Sequence, residues 1–530
     1  MRARFVATAL GLLLALLAES PARAAGFCES YPLTLPDKEL AAYHRELSRI
    51  VPARYARIAH DIPIVNVPID EDHYAPVVEE VSPGRYEIQI PGGFSYLLCW
   101  TAVIQTVLPS AMLTDREMRD MVGECVRETK NRSAIRCMYD IVRLMTEVVT
   151  EKGLEEKIDR HVVEMMMHGA MLTMILHEFG HVVGDHFAAD KTDAEQEREA
   201  DTFAVLGTVL YGEDSMGVFG ASAMFSVFSI ADRAMRNPPH GSFQCRGKSI
   251  KQVTFALWPS VFAVQAWPNA DSAGYLRTRT ADLMEDLTAL FPGPLSDAQL
   301  ASVRCAADRD RHLPAVSADL ARIVATLDAL ARADPNGTGD PFAFYEPLAA
   351  LNLATPEGRN IRASLIAARL GAMFVDVGDR SGRMIPTARY LRYVDRAFAE
   401  SGQDIIARDY GQMLVNRASV RFAAQADRGA PRDADQVLRA VRADLLESLV
   451  YSQGSFRAYF TLFVLDQLAE DCTAARNWLT QAETFSSPQE LEIVQWAMTA
   501  HDEEVARAGC KGIAGRMPLP DPAKLSGDRK

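Results

Sequence analysis

The sequence predicts an α+β domain over residues 27–250 followed by a mostly α-helical domain over 255–515, built as a bundle or as irregular helical repeats. Three observations predict this. Alternating and β-branched stretches are confined to the chain before residue 100, apolar residues recur at helical spacing after it, and beyond about residue 250 the composition turns to Ala, Leu, Arg and Asp. With 530 residues, 48% hydrophobic and 24% charged, the chain can bury more than one core and is neither disordered nor collagen-like.

The first element is a leader. Arg2 and Arg4 precede the apolar run Phe5–Ala18, and Pro21-Ala22-Arg23-Ala24 supplies small residues at cleavage-type positions, so residues 1–24 read as a signal peptide. The run is shorter than the roughly 20 apolar residues of a membrane span, so no transmembrane segment is expected after its removal. The chain is then expected in a bacterial periplasm or the extracellular medium. Eight cysteines, at 28, 99, 125, 137, 245, 305, 472 and 510, agree with export, and proximity favours Cys125–Cys137 and Cys472–Cys510 as disulfides. A formal charge of −14, with no Lys/Arg block, argues against a nucleic-acid partner.

After the leader, a helix is expected over Lys38–Ile58, then β-branched residues around Ile62–Pro68. Arg85–Ile90 alternates, with Tyr86, Ile88 and Ile90 on one apolar face, and Pro91-Gly92-Gly93 ends it before a helix near Tyr96–Val107. Thr114 and Glu117 fit a capping box. Asp159–Phe187 reads as a long methionine-rich core helix, since Glu164, His168, His177, Glu178 and His181 interrupt it too often for a membrane span. Asp193–Tyr211 and Ser222–Arg236 read as further helices, the latter stopped by Asn237-Pro238-Pro239. The second half carries amphipathic runs at Ala281–Leu290, Ala318–Ala333, Asn360–Val375, Pro386–Ala399, Ile405–Ala426, Ala434–Ser448, Phe456–Leu468 and Cys472–Phe485. Ala475, Ala482 and Pro488 approximate a tetratricopeptide hairpin, with the proline one position late. A flexible tail is expected over 516–530.

Chemistry concentrates in His177-Glu178-Phe179-Gly180-His181, an H-E-x-x-H run whose histidines lie one turn apart on one helix face. Two imidazoles so placed can share one ion, and Zn2+ suits imidazole and carboxylate ligands. Glu178 stands beside them as general base. A third ligand is available in the next helix, where Glu197 and Asp201 are four residues apart. Glu197 is expected to bind the metal and Asp201 to accept the outer N–H of a ligating histidine. Glu199 is the weaker alternative ligand and is expected, with Glu195, to be solvated. Gly184 falls where the H-E-x-x-H-x-x-G-x-x-H pattern places glycine, but its last position is Phe187, and His186 comes one residue early. His186 and Asp185 are expected as polar residues at the helix end. For oxyanion stabilisation the candidates are His240 and, less favoured, Tyr211. Arg85–Ile90 is expected to be an edge strand that receives substrate backbone.

His177, Glu178, His181, Glu197 and Asp201 resemble the active-site set of gluzincin metallopeptidases. The run from Glu197 to Ala204 is similar to the second motif of HtpX-like and ImmA/IrrE-like families, the likeness covering about 30 residues. That resemblance implies a zincin-like fold for the first domain and a zinc endopeptidase acting through Glu178, with His177, His181 and Glu197 as ligands. A polypeptide substrate is expected, with a surface for a partner protein on the C-terminal helices. The alternative is a non-catalytic helical adaptor with a structural or relic zinc site. Keeping Glu178 beside three ligands favours hydrolysis, because structural zinc is usually closed by four Cys/His ligands.

Overall fold

A computed structural model describes residues 28, 34–68, 75–111, 158–188, 193–208, 312–334, 339–374, 377, 385–427, 434–451 and 455–509, and elements are numbered within that set. The leader, the capping box at Thr114, Cys125, Cys137, the helices expected at 222–236 and 281–290, and the tail lie outside it. The chain divides into two compact units, residues 1–47 with 61–344, and residues 48–60 with 345–530. The boundary expected near 250 also lies outside the described residues.

In the first unit, α1 (Asp37–Ile50) buries Leu40, Tyr43 and Leu47 at helical spacing. A three-stranded sheet follows, of β1 (Ile64–Val67), β2 (Val77–Ser82) and β3 (Arg85–Pro91), in the order β1-β3-β2. β1 runs parallel and β2 antiparallel to β3. Gly84, at φ +70, makes the tight turn between β2 and β3, a conformation costly for any residue with a Cβ. Ile88 and Ile90 are buried, as their alternation requires. The placement of Arg85–Ile90 at the edge is corrected: β3 is central, hydrogen-bonded on both sides, and β2 is an edge strand.

Helix α3 (Phe94–Ala111) follows, burying Phe94, Leu97, Leu98 and Trp100. Cys99 on its first turns bonds Cys28. Closing a loop of that length stabilises the fold by about 4 kcal/mol. Asn66 of β1 adds a tether, accepting from Leu35 N–H at 3.2 Å and donating to Leu35 C=O at 2.8 Å.

Helix α4 (Arg160–Val183) starts at Asp159, whose carboxylate accepts from the amides of His161 and Val162. From Met166 to His181 almost every residue is buried, including Met166, Met167, Met171 and Met174, so the methionine-rich stretch is a core helix. Helix α5 (Asp193–Leu206) packs on it. Helix α6 (His312–Ala333) groups with this unit and buries the stripe Val316, Leu320, Ile323 and Leu327.

The second unit takes in α2 (Ala53–Asp61), because its backbone pairs there: Ala53 N–H donates to Ile405 C=O at 2.7 Å and Ala407 N–H to Val51 C=O at 2.8 Å. The single helix expected over Lys38–Ile58 is therefore two, broken at Pro52, which lacks the amide a continuous helix needs. The remaining elements are helical: α7 (Tyr345–Ala349), α8 (Pro356–Met373), α9 (Thr387–Ser401), α10 (Ala407–Asp427), α11 (Ala434–Tyr451), α12 (Phe456–Leu468), α13 (Cys472–Thr484) and α14 (Pro488–Ala508). Helix α12 is shared. One side packs Ala458, Leu462 and Leu465 against Val415 and Ala418 of α10 and Val441 and Leu445 of α11. Its Phe456, Tyr459, Phe460 and Phe463 meet Leu479 of α13 and Val494 and Ala497 of α14. Cys472 is disulfide-bonded to a residue outside the described set. Among the described residues no helix is long and apolar enough to cross a membrane.

Candidate metal centre

The site forms where α4 and α5 cross at short range. Gly180 permits the approach, since a Cβ there would lie 2.9 Å from the Ala200 Cα. A second close contact joins Gly207 to Leu176, and Thr173 and Thr208 share a hydroxyl hydrogen bond of 2.9 Å between the same segments. This proximity brings Glu197 onto the histidine face of α4. His177 Nε2 and His181 Nε2 are 3.1 Å apart, and Glu197 reaches them at 3.2 Å through Oε2 and 3.8 Å through Oε1. One atom from each residue lies within 4.8 Å of the others, and all three residues are buried.

The chemistry of these donors suits a cation. Asp201 Oδ1 stands 2.9 Å from His177 Nδ1, and a carboxylate only accepts, so Nδ1 carries the proton and the Nε2 lone pair faces the cluster. Two imidazole nitrogens and a carboxylate oxygen that converge out of water repel one another unless a positive charge balances them. The buried group His177, His181 and Glu197 can thus hold a metal ion. Asp201 stands behind His177, on the side away from this group.

Glu178 is buried at 2% exposure and turns toward the sheet. Its Oε2 accepts from the Val78 amide at 2.9 Å, while Oε1 lies 3.9 Å from His177 Nε2. Register explains why Val78 is available. Ile88 donates to Pro63 on the far side of β3, so its antiparallel partner Val78 belongs to a non-hydrogen-bonded pair and points its N–H out of the sheet edge. Glu178 therefore joins the ligand helix to the edge of β2.

Comparison with known protein families, characterised proteins and solved structures finds no match to this chain.

His186 stands in the turn at the helix end, as expected, and is buried there, with Nδ1 2.9 Å from His181 Nδ1. One expectation is corrected. Glu199 is not merely solvated, because its Oε2 lies 3.2 Å from His186 Nε2. Neither is brought into the ligand group. Tyr86 of β3 packs on Phe187 beyond the end of α4, ring centroids 5.1 Å apart. Burial, then the neighbouring Glu80 and Asp185 carboxylates, raise its phenol pKa, so it stays a neutral donor at ordinary pH. His240 and Tyr211 lie outside the described residues.

Sequence reasoning missed the Val78 amide, the outer edge of β2 and the His186–Glu199 pair. The contact of Val78 with Glu178 spans 100 positions, and nothing local announces it. His186 did carry a signal. It follows Asp185, one of the few residue types that tolerate the left-handed conformation that ends a helix.

Proposed function

We propose that this protein is an exported zinc-dependent endopeptidase. One observation carries the reading: the carboxylate of Glu178 bridges the two-histidine, one-glutamate group and the outward amide of a sheet edge. A structural site needs no such base, whereas hydrolytic zinc sites hold three protein ligands beside one. His177, His181 and Glu197 would hold the ion, which when bound supplies Lewis acidity toward water and the scissile carbonyl.

The protein's own groups do the rest. Asp201 holds the His177 imidazole in its ligand tautomer. Val78 fixes the Glu178 carboxylate by one hydrogen bond, leaving Oε1 on the histidine side to take a proton from the attacking water and return it to the leaving amine. The outer edge of β2 suits an extended peptide, whose backbone would add as a further strand beside the base. Export is supported by the leader pattern and by disulfides at Cys28–Cys99 and Cys472. The second unit, with Trp496 half-exposed on α14, would present a surface for a partner or substrate protein.

The test is hydrolysis of a mixed peptide library by the full chain isolated after export, beside Glu178→Gln. Cleavage that disappears in Glu178→Gln while zinc is retained is the expected result. Zinc binding with no cleavage of any peptide would instead favour a helical adaptor with a structural metal.

A further inference from the structure

The turn that ends α4 holds a second polar chain reaching back to the metal ligands. We propose that His186 and Glu199 form a positioning relay that keeps His181 in its ligand tautomer, as Asp201 does directly for His177. This rests on the metal-binding reading of His177, His181 and Glu197.

Backbone geometry comes first. Asp185 lies at φ +53, its amide donates to Val182 C=O at 3.2 Å, and the His186 amide donates to His181 C=O at 3.0 Å. These paired bonds around a left-handed residue fold position 186 back over position 181, where an apolar contact usually sits. Here two imidazoles occupy the place instead, Nδ1 to Nδ1 at 2.9 Å. Gly184 makes room for the second ring, since a Cβ there would lie 2.2 Å from His186 Nε2. Gln196 of α5 clips the turn by donating to His186 C=O at 3.1 Å.

Proton placement then follows. Two facing Nδ1 atoms can share only one proton. Glu199 Oε2, 3.2 Å from His186 Nε2, accepts and cannot donate as a carboxylate, so that proton sits on His186 Nε2. His186 Nδ1 is consequently the acceptor and His181 Nδ1 the donor. The His181 Nε2 lone pair is left facing His177 and Glu197, as a ligand requires. Helix α5 thereby places three carboxylates at alternate positions with three tasks: Glu197 in the ligand group, Asp201 behind one histidine, and Glu199 behind the other through a wrapped-back imidazole.

The experiment measures the zinc dissociation constant of the full chain by chelator competition, together with the visible spectrum of the cobalt-substituted protein and the melting temperature of the metal-free form. His186→Phe and Gly184→Ala are expected to weaken zinc binding about 10–100-fold and shift the cobalt bands, with metal-free melting unchanged. Gly184→Ala matters because it keeps every polar group and only evicts the His186 ring. His186→Gln should restore most of the affinity, because its amide can accept from His181 and donate to Glu199. Glu199→Gln should add nothing to His186→Phe, yet should multiply with Asp201→Asn, which acts on the other histidine. Wild-type affinity in His186→Phe or Gly184→Ala, or independent effects of Glu199→Gln and His186→Phe, would overturn the relay while leaving the metal centre standing. A wild-type chain that takes up no zinc would overturn both.

Discussion

Buried charge is handled in opposite ways in the α4–α5 pair of the first unit and in the helix array of the second. In the second, carboxylates inside the helix array meet guanidinium groups: Asp444 is held by Arg417 at 2.6 Å and Arg421 at 3.0 Å, and Asp466 by Arg442 and by Trp478 Nε1 at 2.8 Å. Those pairs are complete within the chain and fasten one helix to another. Around α4 and α5 the carboxylates Glu197, Asp201 and Glu199 meet imidazoles, whose outer nitrogens are occupied and whose inner nitrogens converge. The guanidinium network ends in a cation of its own, whereas His177, His181 and Glu197 bring together donors that could hold one. The packing differs in the same sense. Helices α12, α13 and α14 are spaced by Phe, Tyr, Leu and Val, while α4 and α5 approach over Gly180 and Ala200 until short side chains can share an ion.

Breaking that contrast on the α4–α5 side should have the largest effects. Glu178→Gln keeps the ligands and removes the base, so peptide hydrolysis should fall by about 100- to 10,000-fold with zinc content unchanged in the same preparation. Glu197→Ala should weaken zinc, measured by chelator competition, far more than Glu199→Ala, because the first removes a ligand and the second only the end of a relay. Gly180→Ala forces a methyl against the Ala200 backbone. It should cost about 1–3 kcal/mol in chemical denaturation and loosen zinc together, coupling packing to the site.

On the other side the same type of change should act on stability alone. Asp444→Ala leaves Arg417 and Arg421 with the half-exposed Asp395 as their remaining shared acceptor and should cost about 1–3 kcal/mol in urea melts, with zinc affinity untouched. Smallest is Ser487→Ala at the start of α14, where the Ser487 and Glu490 side chains cap each other's amides. A loss of about 1 kcal/mol, read from the same melts, is expected.

What could be read from the chain beforehand follows the range of the interactions. The cluster of His177, His181, Glu197 and Asp201 was legible because H-E-x-x-H and Glu197-x-x-x-Asp201 are helix-face patterns, complete within one or two turns. Helices α8 to α13 were legible for the same reason, and Phe456–Leu468 begins and ends where its periodicity does. Pro488, which approximates a repeat-motif proline, is the first residue of α14, behind the capping Ser487. Partners distant in sequence were hidden. Cys28–Cys99 spans 71 positions, and β2, a short run in which Val78 is buried while Glu79 and Glu80 are exposed, declares itself only by pairing with β3. His186 lay between the two cases, its spacing visible but its meaning dependent on the left-handed Asp185 that turns it back.

The most direct test of the account is zinc per chain, measured by elemental mass spectrometry on full-length protein recovered after export and never exposed to chelator, beside His181→Ala. Close to one zinc in the wild-type chain and none in the variant is the expected result. Folded wild-type protein without zinc, or a His181→Ala variant that retains it in full, would contradict it.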